Sequence, residues 1–258
     1  MIRCFLILLL FLSSFCRGAE PKPILVVLEQ NPWLSVIGSD SPTFALYDDG
    51  SIYYLRGKPT TEEPFQFRTV KDAASKGAEL LGFDPTKMKN EYEISSATDQ
   101  ITTVIWTPEK RIEVYGNWRK AREDKGGNSG PQWKAIVERE RKMRESLPAE
   151  IRASLTRIDQ ERDREGKAWF AAKVEVMFCP YEYAPDASIN WPKDWPDLTA
   201  KDTHKRGSSF SVFLPSEKLP DLRGFLATRK KNGAVLIDGK KMAVAIRLPF
   251  PAEEIWMR

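Results

Sequence analysis

The chain has 258 residues, of which 41% are hydrophobic and 29% charged, and a formal net charge of +4. So small a basic balance gives no ground for a nucleic acid or an anionic membrane surface as partner. One histidine and three cysteines supply no spaced ligand set for zinc and no dense disulfide framework.

The first eighteen residues read as an export signal. Arg3 precedes the apolar run 4–12, and the small polar Ser13 and Ser14 follow it. This is the order of a secretory signal, and the run is too short for an ordinary membrane span. Cleavage is expected after Gly18, with Cys16 three positions before the cut. Phe15 stands where lipoprotein signals carry a small residue, which disfavours lipid anchoring at Cys16. Loss of Arg3 and Arg17 from 40 basic residues, against 36 acidic ones, lowers the net charge from +4 to +2. Only Cys179 then remains, so no internal disulfide is expected and stability must come from the core. The expected location is secreted or periplasmic, with no membrane span after signal cleavage.

Residues 24–28 (ILVVL) read as a strand, broken by Asn31-Pro32-Trp33 before a short run at 34–37. The stretch 43–55 is the organising hairpin, because Asp49-Gly50 is a strong two-residue turn signal. A type I′ turn sets Tyr47 against Ile52 and Ala45 against Tyr54. A three-residue loop with a glycine bulge shifts that register by one, and the sequence leaves both open. In either register both faces are apolar, which demands cover on two sides and a central place. After the polar stretch 58–64, residues 65–68 form another strand. Thr69 is placed to cap a helix over 70–81, with Gly82 at its end and Asp84-Pro85 as a stop.

A second hairpin joins 101–106 to 111–115 through Thr107-Pro108-Glu109-Lys110. It pairs Ile105 with Ile112 and Thr103 with Val114, while Val104, Glu113, Trp106 and Arg111 form an outer face. There Arg111 can lie over Trp106 as a cation–π contact. Residues 125–130 (KGGNSG) read as a linker. Two helices follow at 132–146 and 148–164, with Pro148 in a first turn. Their apolar sides are marked by Trp133, Ile136, Val137 and Leu147, then by Ile151, Leu155 and Ile158. The balanced charge of their other faces indicates a solvated, salt-bridged surface.

Residues 171–178 alternate as a strand and lead into an aromatic, proline-rich loop. Strand 209–213, a short helix around Leu219–Leu226, and strands 234–237 and 242–248 complete the chain. A four-residue loop at 238–241 is preferred to a tight Asp-Gly turn, since it keeps Lys240 and Lys241 out of the ladder. The fold class is α+β, mainly antiparallel hairpins with packed helices. Residues 19–124 form an N-terminal lobe. Residues 125–258 supply the charged helical pair and a C-terminal lobe, or one domain spans both.

Few chemistries fit these residues. His204 lies in a polar stretch, and no Gly-x-Ser-x-Gly elbow accompanies it. Cys179 ends an apolar strand and reads as a small buried hydrophobe. No phosphate-cradling glycine loop or dinucleotide fingerprint occurs, so no cofactor is expected. Paired carboxylates for hydrolysis of a cell-wall or extracellular polymer stay open, because their spatial spacing is not legible. The residues that turn and core arguments leave over are Tyr181, Tyr183, Trp191 and Trp195. Two Trp-Pro dipeptides stiffen this loop, and such rings either stack on a sugar or protein partner or fill the core.

The segments SPTFALYDDGSIYYLRG, ATDQITTVIW with RIEVYG, WPKDWPDL and GAVLIDGKKMAVAIRLPFP resemble, in that order, a group of uncharacterised exported bacterial proteins. The resemblance spans most of the chain after residue 18. It implies an envelope or secreted setting and carries over no activity and no functional residue. The leading expectation is a non-catalytic, exported binding or interaction protein with a protein or glycan partner. A carboxylate-dependent hydrolase and an inhibitor or immunity-type protein are the alternatives.

Overall fold

The computed structural model describes residues 20–32, 41–56, 65–119 and 130–257. The expected signal 1–18, the run at 34–37, the stretch 58–64 and nearly all of the 125–130 linker lie outside the described residues. Those described form an α+β fold of four helices and fourteen strands in two mixed, mostly antiparallel sheets.

The first sheet is built on β1 (Pro23–Gln30), β2 (Pro42–Tyr47) and β3 (Ser51–Tyr54). To one side lie β4 (Phe65–Thr69) and β8 (Lys167–Trp169); to the other lie β6 (Thr102–Trp106), β7 (Arg111–Tyr115) and β5 (Glu91–Glu93). Strands β1 and β2 are the middle pair, and every residue of β2 and β3 is buried. The hairpin is therefore central, and its register is the bulged one. Phe44 faces Tyr54 and Leu46 faces Ile52. The Gly50 amide donates to Tyr47 O at 3.0 Å, and Gly50 takes a positive φ of 85°. This makes a three-residue loop, the second of the two registers that the sequence leaves open.

Helix α1 (Ala73–Leu81) and helix α3 (Ala149–Arg162) cover one face, over Phe44, Leu46, Ile52 and Tyr54. Helix α1 starts later than expected, because the Val70 amide is spent on Gly50 O and Asp72 caps the Ser75 amide. Arg157 in turn donates to the carbonyls of Leu80 and Leu81 at the far end of α1. Helix α2 (Pro131–Glu145) differs from expectation. Ile136 is 43% exposed, and the side chain α2 buries is Glu140, which accepts from the amide and hydroxyl of Ser96.

The second sheet has the order β10-β13-β14-β9-β12-β11. Its strands are β9 (Lys173–Pro180), β10 (Asp186–Asn190), β11 (His204–Arg206), β12 (Ser209–Pro215), β13 (Gly233–Ile237) and β14 (Lys240–Arg247). Helix α4 (Leu219–Ala227) packs on the face bearing Val174, Val176 and Phe178. The β13–β14 turn is a correction. Leu236 pairs with Lys241 and Ile237 with Lys240, around Asp238 and Gly239 at positive φ of 48° and 74°. Lys241 is tolerated in the ladder because its side of β14, with Ala243 and Ala245, is only half-buried.

Beyond β14 the chain crosses to the first sheet. Phe250 and Trp256 join Tyr47, Tyr53 and Phe65 on the face opposite α1 and α3. Val104, expected on an open outer face, is fully buried in this cluster. The Tyr47 hydroxyl donates to Pro251 O at 2.8 Å, and burial pushes its ionisation far above the usual phenol range.

Candidate functional site

The aromatic loop is built by hydrogen bonds at both ends of β10. After β9, the Tyr181 amide donates to Lys241 O at 2.9 Å, and the Ala184 amide closes a turn on Tyr181 O at 3.2 Å. Tyr183 stands at that turn and is 94% exposed. The Asp186 carboxylate then accepts the Asn232 amide at 3.0 Å, which pins the start of β10. At the other end the Trp191 amide donates to Leu236 O. Further on, Asp197 holds Thr199 through its amide and hydroxyl, both at 2.8 Å, and Asp238 accepts the Leu198 amide at 3.0 Å. These bonds to Thr199 keep the Asp197 carboxyl below its usual range.

The four rings do not form one surface. Trp191 is 7% exposed, sits edge-on to Phe178, Trp195 and Phe225, and donates its indole N–H to Pro196 O at 2.9 Å. A ring so enclosed is core, and no ligand reaches it without unpacking α4. Trp195 is half-buried against Phe225, with centroids 5.7 Å apart, and Tyr181 is half-buried too. Tyr183 alone of the four is fully presented to solvent. The sequence reading missed β10 itself. Its five residues, Asp-Ala-Ser-Ile-Asn, include a single strongly strand-forming one, so no periodicity marks it.

Other polar groups are gathered elsewhere. On the second sheet's opposite face Glu175 and Arg247 are both buried; the Arg247 Nε donates to Glu175 at 2.8 Å, and Glu253 takes a further guanidinium N–H at 2.7 Å. Burial works against the Arg247 charge, but Glu253 and Glu175 outweigh it and raise its pKa. The cluster ties the C-terminal segment to β9 and β14. Cys179 is half-buried rather than buried and accepts from the Ser209 hydroxyl at 3.4 Å. His204 is exposed on β11, with its ring edge-on to Phe213 at 5.2 Å.

On the first sheet, Arg119 grips Asp159 at 2.6 and 2.9 Å and Glu29 at 2.6 Å, and lies over the Trp118 ring. A depression of about 100 Å³ opens beside it, bordered by Ile101, Thr103, Gly116 and Asn117. Through Nε and Nη2, bonded to these two carboxylates, Arg119 has a bracing role there, joining β1 to α3. Arg111, expected over Trp106, directs its Nε to Glu113 at 2.6 Å. Among the described residues no three of His, Cys, Asp and Glu are grouped as metal ligands, and no helix is long and apolar enough to cross a membrane.

Comparison with protein-family models, with curated proteins and with solved structures finds no match. The site therefore stands on its own geometry.

Proposed function

We propose that this chain is an exported, non-catalytic binding or interaction protein, with the loop around Tyr183 as its recognition element and a protein or glycan of the cell envelope as its partner. The observation that carries the reading is Tyr183, a large ring 94% exposed on a turn hydrogen-bonded to the sheet. The hydrogen-bonded turn fixes the backbone that presents the ring, which lowers part of the entropic cost of binding, and tyrosine is a favoured anchor at interfaces. Export rests on Arg3 and the apolar run 4–12, and the envelope setting also on the resemblance to exported bacterial proteins.

The test offers solubilised envelope protein and purified peptidoglycan as separate baits to wild type and Tyr183→Ala. Loss of about tenfold in capture of one bait, with an unchanged unfolding midpoint, is expected for an exposed anchor. Equal capture by the two chains on both baits rules the reading out. Fractionation with N-terminal sequencing checks export separately. The product is expected outside the cytoplasm and starting near Ala19, and a full-length cytoplasmic product rules export out.

A further inference from the structure

Helix α2 is held differently from α1, α3 and α4. Those three bury aliphatic side chains: Leu80 in α1, Ile151, Leu155 and Ile158 in α3, and Leu219 and Leu222 in α4. In α2 the one buried residue is Glu140, and no apolar side chain of α2 joins a core cluster among the described residues. The helix braces its own surface instead, where Arg141 bonds Glu138 and Glu145, both at 2.6 Å. Its start is uncapped by any side chain, because Gly130 stands at that position.

Its C-terminal end is fixed. Leu147 is buried in the same cluster as Ile151, and Arg152 of α3 donates Nη2 to the carbonyls of Arg144 and Leu147 at 3.0 and 3.1 Å. Nearer the middle of α2, Glu140 Oε1 accepts the amide and the hydroxyl of Ser96 at 2.9 and 2.7 Å. The corner that receives this carboxylate is shaped without α2. The Ile94 amide donates to Tyr115 O at 2.9 Å, the Ala97 amide to the Ser95 hydroxyl at 3.2 Å, and the Tyr115 hydroxyl to Ala97 O at 2.8 Å. A carboxylate on polar donors is released more cheaply than buried hydrocarbon, since water replaces both partners of the bond but gives exposed hydrocarbon nothing.

We infer that α2 is a hinged arm, pivoting about Leu147 and latched shut by the Glu140 carboxylate on the preformed Ser95–Ala97 corner. Opening frees the Ser96 amide and hydroxyl, a pair of donors suited to a carboxylate, and leaves both sheets whole. A released helix of 15 residues is marginal in water, so the open arm frays from its uncapped start.

Hydrogen exchange on the intact protein in rising denaturant tests the arm. The α2 amides are expected to exchange at least about tenfold faster than those of β2 and β3, with a shallow dependence on denaturant, as a local opening does. Glu140→Ala is expected to speed α2 by about a further tenfold while β2 and β3 keep their rates, and trypsin then cuts within α2 before any other described element. Amides of α2 that exchange only together with those of β2 and β3, on the same denaturant slope, overturn the arm. An α2 rate unchanged by Glu140→Ala overturns the latch. Should that variant fail to fold, the slopes measured on the wild type decide alone.

Discussion

Two Asp-Gly pairs close hairpins in this protein, and the same dipeptide gives two different registers. At Asp49-Gly50 the loop has three residues. The Asp49 carboxylate holds the Ser51 amide at 2.8 Å and its hydroxyl at 3.0 Å, and Gly50 O receives the Val70 amide. At Asp238-Gly239 the loop has two residues, both at positive φ, and the Asp238 carboxylate reaches out to the Leu198 amide. The first turn is locked by its own side chain and by the next strand. The second is open to solvent but anchors the aromatic loop. The dipeptide permits a tight turn; what the aspartate and the glycine carbonyl bond to decides which turn forms.

This contrast sets an order of expected effects, each read by chemical denaturation. The largest belongs to the loop that the second turn anchors. Trp191→Ala removes a ring packed among Phe178, Trp195 and Phe225 and is expected to cost about 3–5 kcal/mol. A cost within error would mean that the loop is not part of the core and that Asp238 anchors nothing of weight. Next comes Gly50→Val. A Cβ there would lie 2.1 Å from Val70 O, and φ is 85°, so about 3 kcal/mol is expected from strain and displacement of β4 together. A smaller loss than at Gly239 would reverse the comparison.

Asp238→Ala should cost about 1–2 kcal/mol, since it leaves the Leu198 amide without its acceptor. Proteolysis within the loop should quicken with it, and an unchanged cleavage rate would detach the turn from the loop. Smallest is Gly239→Ala. Nothing lies within 4 Å of a Cβ at this position, so only the left-handed backbone is penalised, by about 1 kcal/mol. The difference between Ala at Gly239 and Val at Gly50 measures how much of the first turn's value is tertiary.

Much of the architecture is legible in local pattern. The 101–106 and 111–115 hairpin pairs as the alternation requires, Ile105 with Ile112 and Thr103 with Val114, because its proline-containing turn admits one register. Gly82 ends α1 with its amide on Ala78 O, as a glycine after an apolar face should. The central place of residues 43–55 follows from apolar groups on both faces, since such a pair is stable only when covered twice.

Other features were decided by contacts that no local window contains. The register at Gly50 could not be read from burial, because a one-residue slip exchanges two equally apolar faces. Val70, arriving from β4, selects one. The helix start moved to Ala73 for the same reason. Strands β8 and β10 lack periodicity and exist because β4 and β13 offer them edges. For the candidate site, the loop's stiffness was legible in its prolines, but the fate of each ring was not. Trp191 and Tyr183 are both large amphipathic rings in one polar stretch, and sequence treats them alike. Only the packing of α4 over β9 separates them, drawing Trp191 inward against Phe178 and leaving Tyr183 in water. Hydrophobic pattern is a local property and survives in the sequence; register, edges and the destination of single rings depend on which distant surface arrives to meet them.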